Sequence, residues 1–259
     1  MNNNILKTTS KIICIITSLC ALALSLYRSY ESISWYKDYS HACELNTQRN
    51  SLAPLFSPFT LWIGGGKIDL LVKMFYILLF INITLIVIYK LASSPKQEYK
   101  KIFILSGSVA LFPIINLLCL FLFIPAIKPD SVYDIHYNVI STNHFCNTFY
   151  NHPLLYCLIY FLAFFVFCGL TGGLSFLFAK AFKNILFSVV PVFLLFVLFF
   201  EDKFEIIKYR INPITIFQSD VTFMEFIYSI IIEAIIIILF SLLLFFICTK
   251  NKINVKEGE

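Results

Sequence analysis

The sequence predicts an all-α polytopic membrane protein of about six transmembrane helices. Apolar runs of bilayer length recur between Lys11 and Cys248, and a hydrocarbon core of roughly 30 Å takes about 20 helical residues to cross. Charged residues make up only 14% of the chain and hydrophobic residues 59%, where a soluble domain carries about 25% charged. The connections between the runs also alternate in charge. In lipid the backbone must close its own hydrogen bonds, so runs of this length are helices and not open strands. The whole chain, residues 1–259, therefore reads as a single transmembrane domain. Its spans are Lys11–Tyr27, Leu70–Tyr89, Ile102–Ile127, Pro153–Ala179, Asn184–Phe200 and Phe223–Cys248.

The first span follows Lys7 and Lys11. The same residues also suit a signal peptide, with Ala21-Leu22-Ala23 as a small-residue cleavage site, although the apolar run continues to Tyr27. Between the first two spans lies a long segment, Arg28 to Asp69, containing Trp35, Tyr36, Tyr39, Trp62 and the apolar stretch Leu52 to Phe59. Amphipathic rings collect where membrane meets water, so this segment is expected to lie on the outer leaflet or partly re-enter it. Gly64-Gly65-Gly66-Lys67 is not a phosphate loop, since Leu61 and Ile68 stand where that pattern requires Gly and Ser or Thr.

The connection between the second and third spans carries a helix-start signature. Ser94 is placed as N-cap, Pro95 at the first helical position and Gln97 at the third, with Glu98 in the first turn. A short helix is expected to begin at Pro95, flanked by Lys96 and Tyr99. It is either the aqueous end of the third span or a docking element for a partner.

Within the membrane, Gly169 and Gly173 form a GxxxG pair in the fourth span, with Gly172, Ser175 and Ala179 near the same side. Ser106, Gly107, Ser108 and Ala110 offer a similar surface in the third. Small residues let helices approach closely. Asn82, Thr84 and Asn116 are polar residues inside apolar runs and serve first as interhelical glue. Glu233 sits near the middle of the last span, where a carboxyl group is costly and is either paired or part of a polar pathway.

Of eight cysteines, six fall in spans, where they behave as small hydrophobes. Cys43 and Cys146 fall in outer loops, where an oxidising environment permits a bridge. Asp134, His136, His144 and His152 match no familiar zinc spacing, so no metal site is expected. No HExxH, paired-Glu or Ser/Lys arrangement supports a membrane enzyme, and no nucleic-acid module accompanies the basic clusters.

Orientation follows from lysine asymmetry. Lys7, Lys11, Lys90, Lys96, Lys100, Lys101, Lys180, Lys183, Lys250, Lys252 and Lys256 fall on one side, against Glu98, Glu257 and Glu259. By the positive-inside rule that side is cytoplasmic and both termini lie there.

This layout resembles the type-two ABC exporter permeases. The resemblance extends over nearly the full chain and is closest in Ser93 to Tyr99, in Asn151 to Tyr156 and in the region from Gly169 to Pro191. It implies a permease subunit of the bacterial plasma membrane with no ATPase of its own, pairing with a second permease above separate ATP-binding subunits. It implies no cofactor beyond the ATP that the partner binds. Pro95 to Lys101 map onto the coupling helix, and the absence of the importers' Glu-Ala-Ala motif points to export, for example of a peptide or another amphiphile. The alternative with the same hydropathy is a stand-alone membrane protein that confers immunity or senses a peptide.

Overall fold

The computed structural model describes residues 3–45, 58, 70–93, 99–124 and 151–193, together with residues 231, 235, 238, 239 and 242. Among these the chain is all-helical, with no strand. The helices are α1 (Asn3–Leu45), α2 (Leu70–Ser93), α3 (Tyr99–Gly107), α4 (Leu111–Phe123) and α5 (Pro153–Ala181). One 3-10 turn, Ser108–Ala110, joins α3 to α4, and another, Ile185–Ser188, follows α5. Four stretches among the described residues are long and apolar enough to cross a membrane: Asn4–Ser34, Met74–Ser93, Tyr99–Phe123 and Pro153–Ala181.

α1 departs from expectation. Its 43 residues make a helix about 65 Å long at 1.5 Å per residue, twice a bilayer core. The segment from Arg28 was expected as outer loop, yet it continues the helix to Leu45. Neither Gly nor Pro occurs before Pro54, so nothing in the backbone chemistry stops the helix where hydropathy falls.

The third span is broken where Pro113 requires it. Proline lacks an N–H and its ring crowds the carbonyl four residues back, which here belongs to Val109, within the Ser108–Ala110 turn. The tighter 3-10 geometry absorbs the conflict, and α4 continues the same direction of travel. α4 stops at Phe123, after which Ile124 is extended (φ −118°, ψ 132°). Ile124 precedes Pro125, and a residue before proline is driven out of the helical region.

α5 matches its expected span to within two residues. Pro153 occupies its first turn, where a missing N–H costs nothing. At the other end Asn184 N–H donates to Ala179 O (3.1 Å) and Lys183 N–H to Lys180 O (3.3 Å), the paired bonds of a Schellman motif. Lys183 holds the left-handed position at φ 51°. Asn184 then caps the next turn, its Oδ1 accepting from Leu186 N–H at 3.0 Å. Of the expected fifth span, 184–200, the 3-10 turn and helical residues 189–193 are described. Of the sixth, Ile231, Ile235, Ile238, Leu239 and Leu242 are helical and exposed.

α1 packs along α2 and α4, and α3 packs on α5, which also touches α2. The main core joins Ala21 of α1, Leu79, Phe80 and Ile83 of α2, Val109 and Ala110 of the turn, and Phe164, Phe167 and Cys168 of α5. Phe80 meets Phe167 edge to face with centroids 5.9 Å apart. A second cluster of Val87, Leu91, Ile102, Phe176 and Ala179 closes the end where α2 and α5 finish and α3 begins.

The outside of this bundle is apolar and the inside partly polar. On α1, Ile12, Ile13, Ile15, Ile16 and Leu19 are exposed, whereas Ser10, Ser25 and Ser29 are buried. On α5, Leu154, Leu158, Leu162 and Val166 are exposed at every fourth residue, while Gly169, Gly172 and Gly173 are buried. A helix in water would present the reverse. Burying serine and exposing isoleucine is stable only where the surrounding medium is hydrocarbon.

Candidate functional site

Two constructions inside the bundle gather the polar and small residues. The first is a polar seam along the inward side of α1. Near its middle, the Thr17 hydroxyl and the Asn82 side-chain oxygen are hydrogen-bonded across α1 and α2, with Ser18 Oγ 3.4 Å from the same oxygen. The Thr17 hydroxyl also lies 2.9 Å from Ile13 O and 3.1 Å from Cys14 O. One proton cannot serve all three acceptors. The back-bond to Ile13 takes it, and an Asn82 amide turned over would donate to Thr17 instead, giving its otherwise unpartnered Nδ2 a bond.

Further along α1, Asn116 Nδ2 donates to Ser29 Oγ at 2.9 Å and to Ser25 O at 3.3 Å, and Ser29 Oγ donates to Ser25 O at 2.9 Å. Both asparagines singled out as intramembrane polar residues thus bind α1, one from α2 and one from α4. Arg28 follows, hydrogen-bonded to Tyr76 of α2 and close to Tyr160 of α5. Tyr156 and Cys157 stand beside Tyr160. From Thr17 to Ser29 the seam covers about 18 Å of helix at 1.5 Å per residue, more than half of a bilayer core.

The second construction locks α3 to α5. A Cβ on Gly173 would lie 2.6 Å from Tyr99 Cε2, and one on Gly169 would lie 2.7 Å from Phe103 Cε2. On the other helix, a Cβ on Gly107 would lie 2.8 Å from Phe165 Cε2. Each step of four along α3 is thus matched by a step of four backward along α5, an antiparallel register in which glycine on one helix receives a ring from the other. A Cβ on Gly172 would overlap Ser106 Oγ and Cβ. Tyr99 also meets Phe176 at 6.5 Å between centroids, and Phe103 meets Phe165 at 6.1 Å, both edge to face. The small residues marked in the sequence therefore serve this pairing. Lys180 Nζ lies 5.0 Å over the Phe176 ring at the same end, a cation–π contact.

Of the expected docking helix, Tyr99, Lys100 and Lys101 are described, as the first turn of α3, and Tyr99 is the site residue among them. It is half-buried against Gly173. Ser94, Pro95, Lys96, Gln97 and Glu98 lie outside the described residues, as do Glu233 and Cys146. Cys43 falls within the α1 backbone, its side chain outside the description, so its pairing with Cys146 has no structural account. Cys14, Cys20, Cys119, Cys157 and Cys168 are not disulfide-bonded. Among the described residues no group of three metal-ligating side chains occurs.

The sequence reading missed the serine and threonine stripe of α1 and Arg28. The signal was present: Thr17, Ala21, Ser25 and Ser29 recur every four residues, the small-xxx-small spacing of a helix interface. Chemically, the seam offers hydroxyl and amide groups and one guanidinium, used here for polar contact between helices. Comparison with known protein families, curated proteins and solved structures finds no match to the chain.

Proposed function

We propose that the chain is the permease subunit of a type-two ABC exporter, with six spans and both termini in the cytoplasm of a bacterial plasma membrane. A separate ATP-binding subunit powers it, a second permease copy or homologue completes the pathway, and the cargo is a peptide or another amphiphile moved outward. The observation that supports this reading is the α3–α5 lock. Ser94 to Glu98 lead directly into Tyr99, and Tyr99 and Phe103 seat on Gly173 and Gly169. A push delivered to that connection would move α3 and α5 as one packed body, because close-packed interfaces transmit displacement and do not absorb it. The polar seam holds α1 to α2 and α4, so α1 would move with the helices it is bonded to.

The test is partner dependence. The tagged chain, purified from its native membranes in mild detergent, is expected to bring with it a protein carrying a Walker ATP-binding motif, in amounts comparable to its own. Glu98→Ala and Tyr99→Ala should lower that recovery or transport while leaving membrane insertion intact. A chain that performs its role with no ATPase bound would instead be a stand-alone immunity or sensor protein.

A further inference from the structure

A groove of about 370 Å³ opens between α1 and the far end of α4. Leu26, Ile33 and Phe123 form its apolar wall, and Tyr30, Ser34 and Lys37 follow one another up α1 on the same side. We propose that this groove holds one acyl chain of an anionic phospholipid, with the lipid phosphate at Lys37.

Three observations select that occupant. The groove lies on the apolar exterior of the bundle, where Leu26, Tyr30, Leu122 and Phe123 are exposed, so a bilayer is what meets it. The wall changes character along its length. Leu26 and Ile33 lie on the α1 face that runs up to Ser34 and Lys37, and from Leu26 to Lys37 the helix rises about 16 Å, room for a chain below and a headgroup above. The depth also fits. With α1 entering the hydrocarbon near Lys11, a core of about 20 residues ends near Glu31. Lys37 then stands about 9 Å beyond that boundary, at headgroup level, and a lysine stem can bend toward a phosphate from there. The exposed face of α5, Leu154, Leu158 and Leu162, presents apolar wall with no lysine above it among the described residues, and so serves as the internal control.

The inference requires only that the chain is embedded in a bilayer, and it stands or falls separately from any ATPase partner. Its test uses the full chain in nanodiscs of phosphatidylcholine containing a trace of phosphatidylglycerol with a photoactivatable diazirine in its acyl chain. Adducts are located by peptide mass mapping. The expected result is that adducts concentrate on the α1 stretch Leu26 to Ile33 and on Cys119 to Phe123 of α4, above the level on Leu154 to Leu162. Leu26→Trp, a change at an exposed position that fills the groove, should remove that excess. Lys37→Gln should lower the preference for phosphatidylglycerol over a matched phosphatidylcholine probe by about fivefold, the equivalent of one surface lysine. Adducts spread evenly over the α1–α4 groove and the α5 face, or an excess unchanged by Leu26→Trp, would overturn the proposal. An unchanged headgroup preference in Lys37→Gln would overturn its anionic part.

Discussion

The α3–α5 lock predicts an order of damage among its glycines that composition alone would not. A Cβ at Gly173 meets the end of the Tyr99 ring at 2.6–2.7 Å, and carbon atoms at rest sit about 3.5–4.0 Å apart. The ring must therefore retreat by about 1 Å, and being half-buried at the bundle end it has somewhere to go. A Cβ at Gly172 meets the Ser106 Cβ, an atom fixed to the α3 backbone, so only the helices can part. Overpacking of this kind costs about 1–3 kcal/mol. Gly173→Ala is expected near the bottom of that range and Gly172→Ala near the top. Combining Gly173→Ala with Tyr99→Ala should return part of the loss, a coupling of about 1 kcal/mol for residues in contact. Steric trapping in bicelles measures these free energies, with the exposed Leu158→Ala as a control expected within about 0.5 kcal/mol of the parent. Equal effects of Gly172→Ala and Leu158→Ala would refute the register, as would a Tyr99→Ala change that fails to offset Gly173→Ala.

Lys183→Gly should stabilise the chain by about 1 kcal/mol, since a left-handed backbone strains any residue with a Cβ; the same unfolding assay reads it. Asn116→Leu removes the bonds to Ser25 and Ser29 and should destabilise by about 1 kcal/mol, whereas Asn82→Leu should cost less because Asn82 uses little of its bonding capacity. At Glu233, Gln and Leu separate two roles: helix glue tolerates Gln and suffers with Leu, while a polar pathway loses function with Gln at unchanged expression and thermal stability. Single-cysteine labelling on a cysteine-free background should find Asn50→Cys and Asn143→Cys modified by an impermeant reagent outside intact cells; protection of both would reverse the orientation.

How much was readable from the sequence depended on which force set each feature. α5 was legible from Pro153 to Ala179 because hydropathy, proline and the following lysines change together at its ends. α1 was not, because hydropathy reports the medium around a helix while its length depends on backbone bonding. The more polar stretch after Arg28 loses hydropathy without leaving the helix. Gly169 and Gly173 were legible as an interface, but GxxxG suggests backbone meeting backbone, and the partners here are the rings of Tyr99 and Phe103. Asn82 and Asn116 stood out inside apolar runs. Their partners on α1 did not, since Thr17, Ser25 and Ser29 are ordinary residues whose meaning comes from the helix packed against them. Arg28 read as the first residue of a loop, and only the approach of α2 and α5 brings tyrosines to it.

The central claim is that residues 94–98 receive an ATPase and pass its motion to α3 and α5. It is tested most directly by placing a photocrosslinking amino acid at Lys96 in native membranes. The account predicts a crosslinked product containing this chain and a Walker-motif ATPase, reduced when Tyr99 is replaced by Ala. Modification of Lys96→Cys by an impermeant reagent from outside intact cells would contradict it.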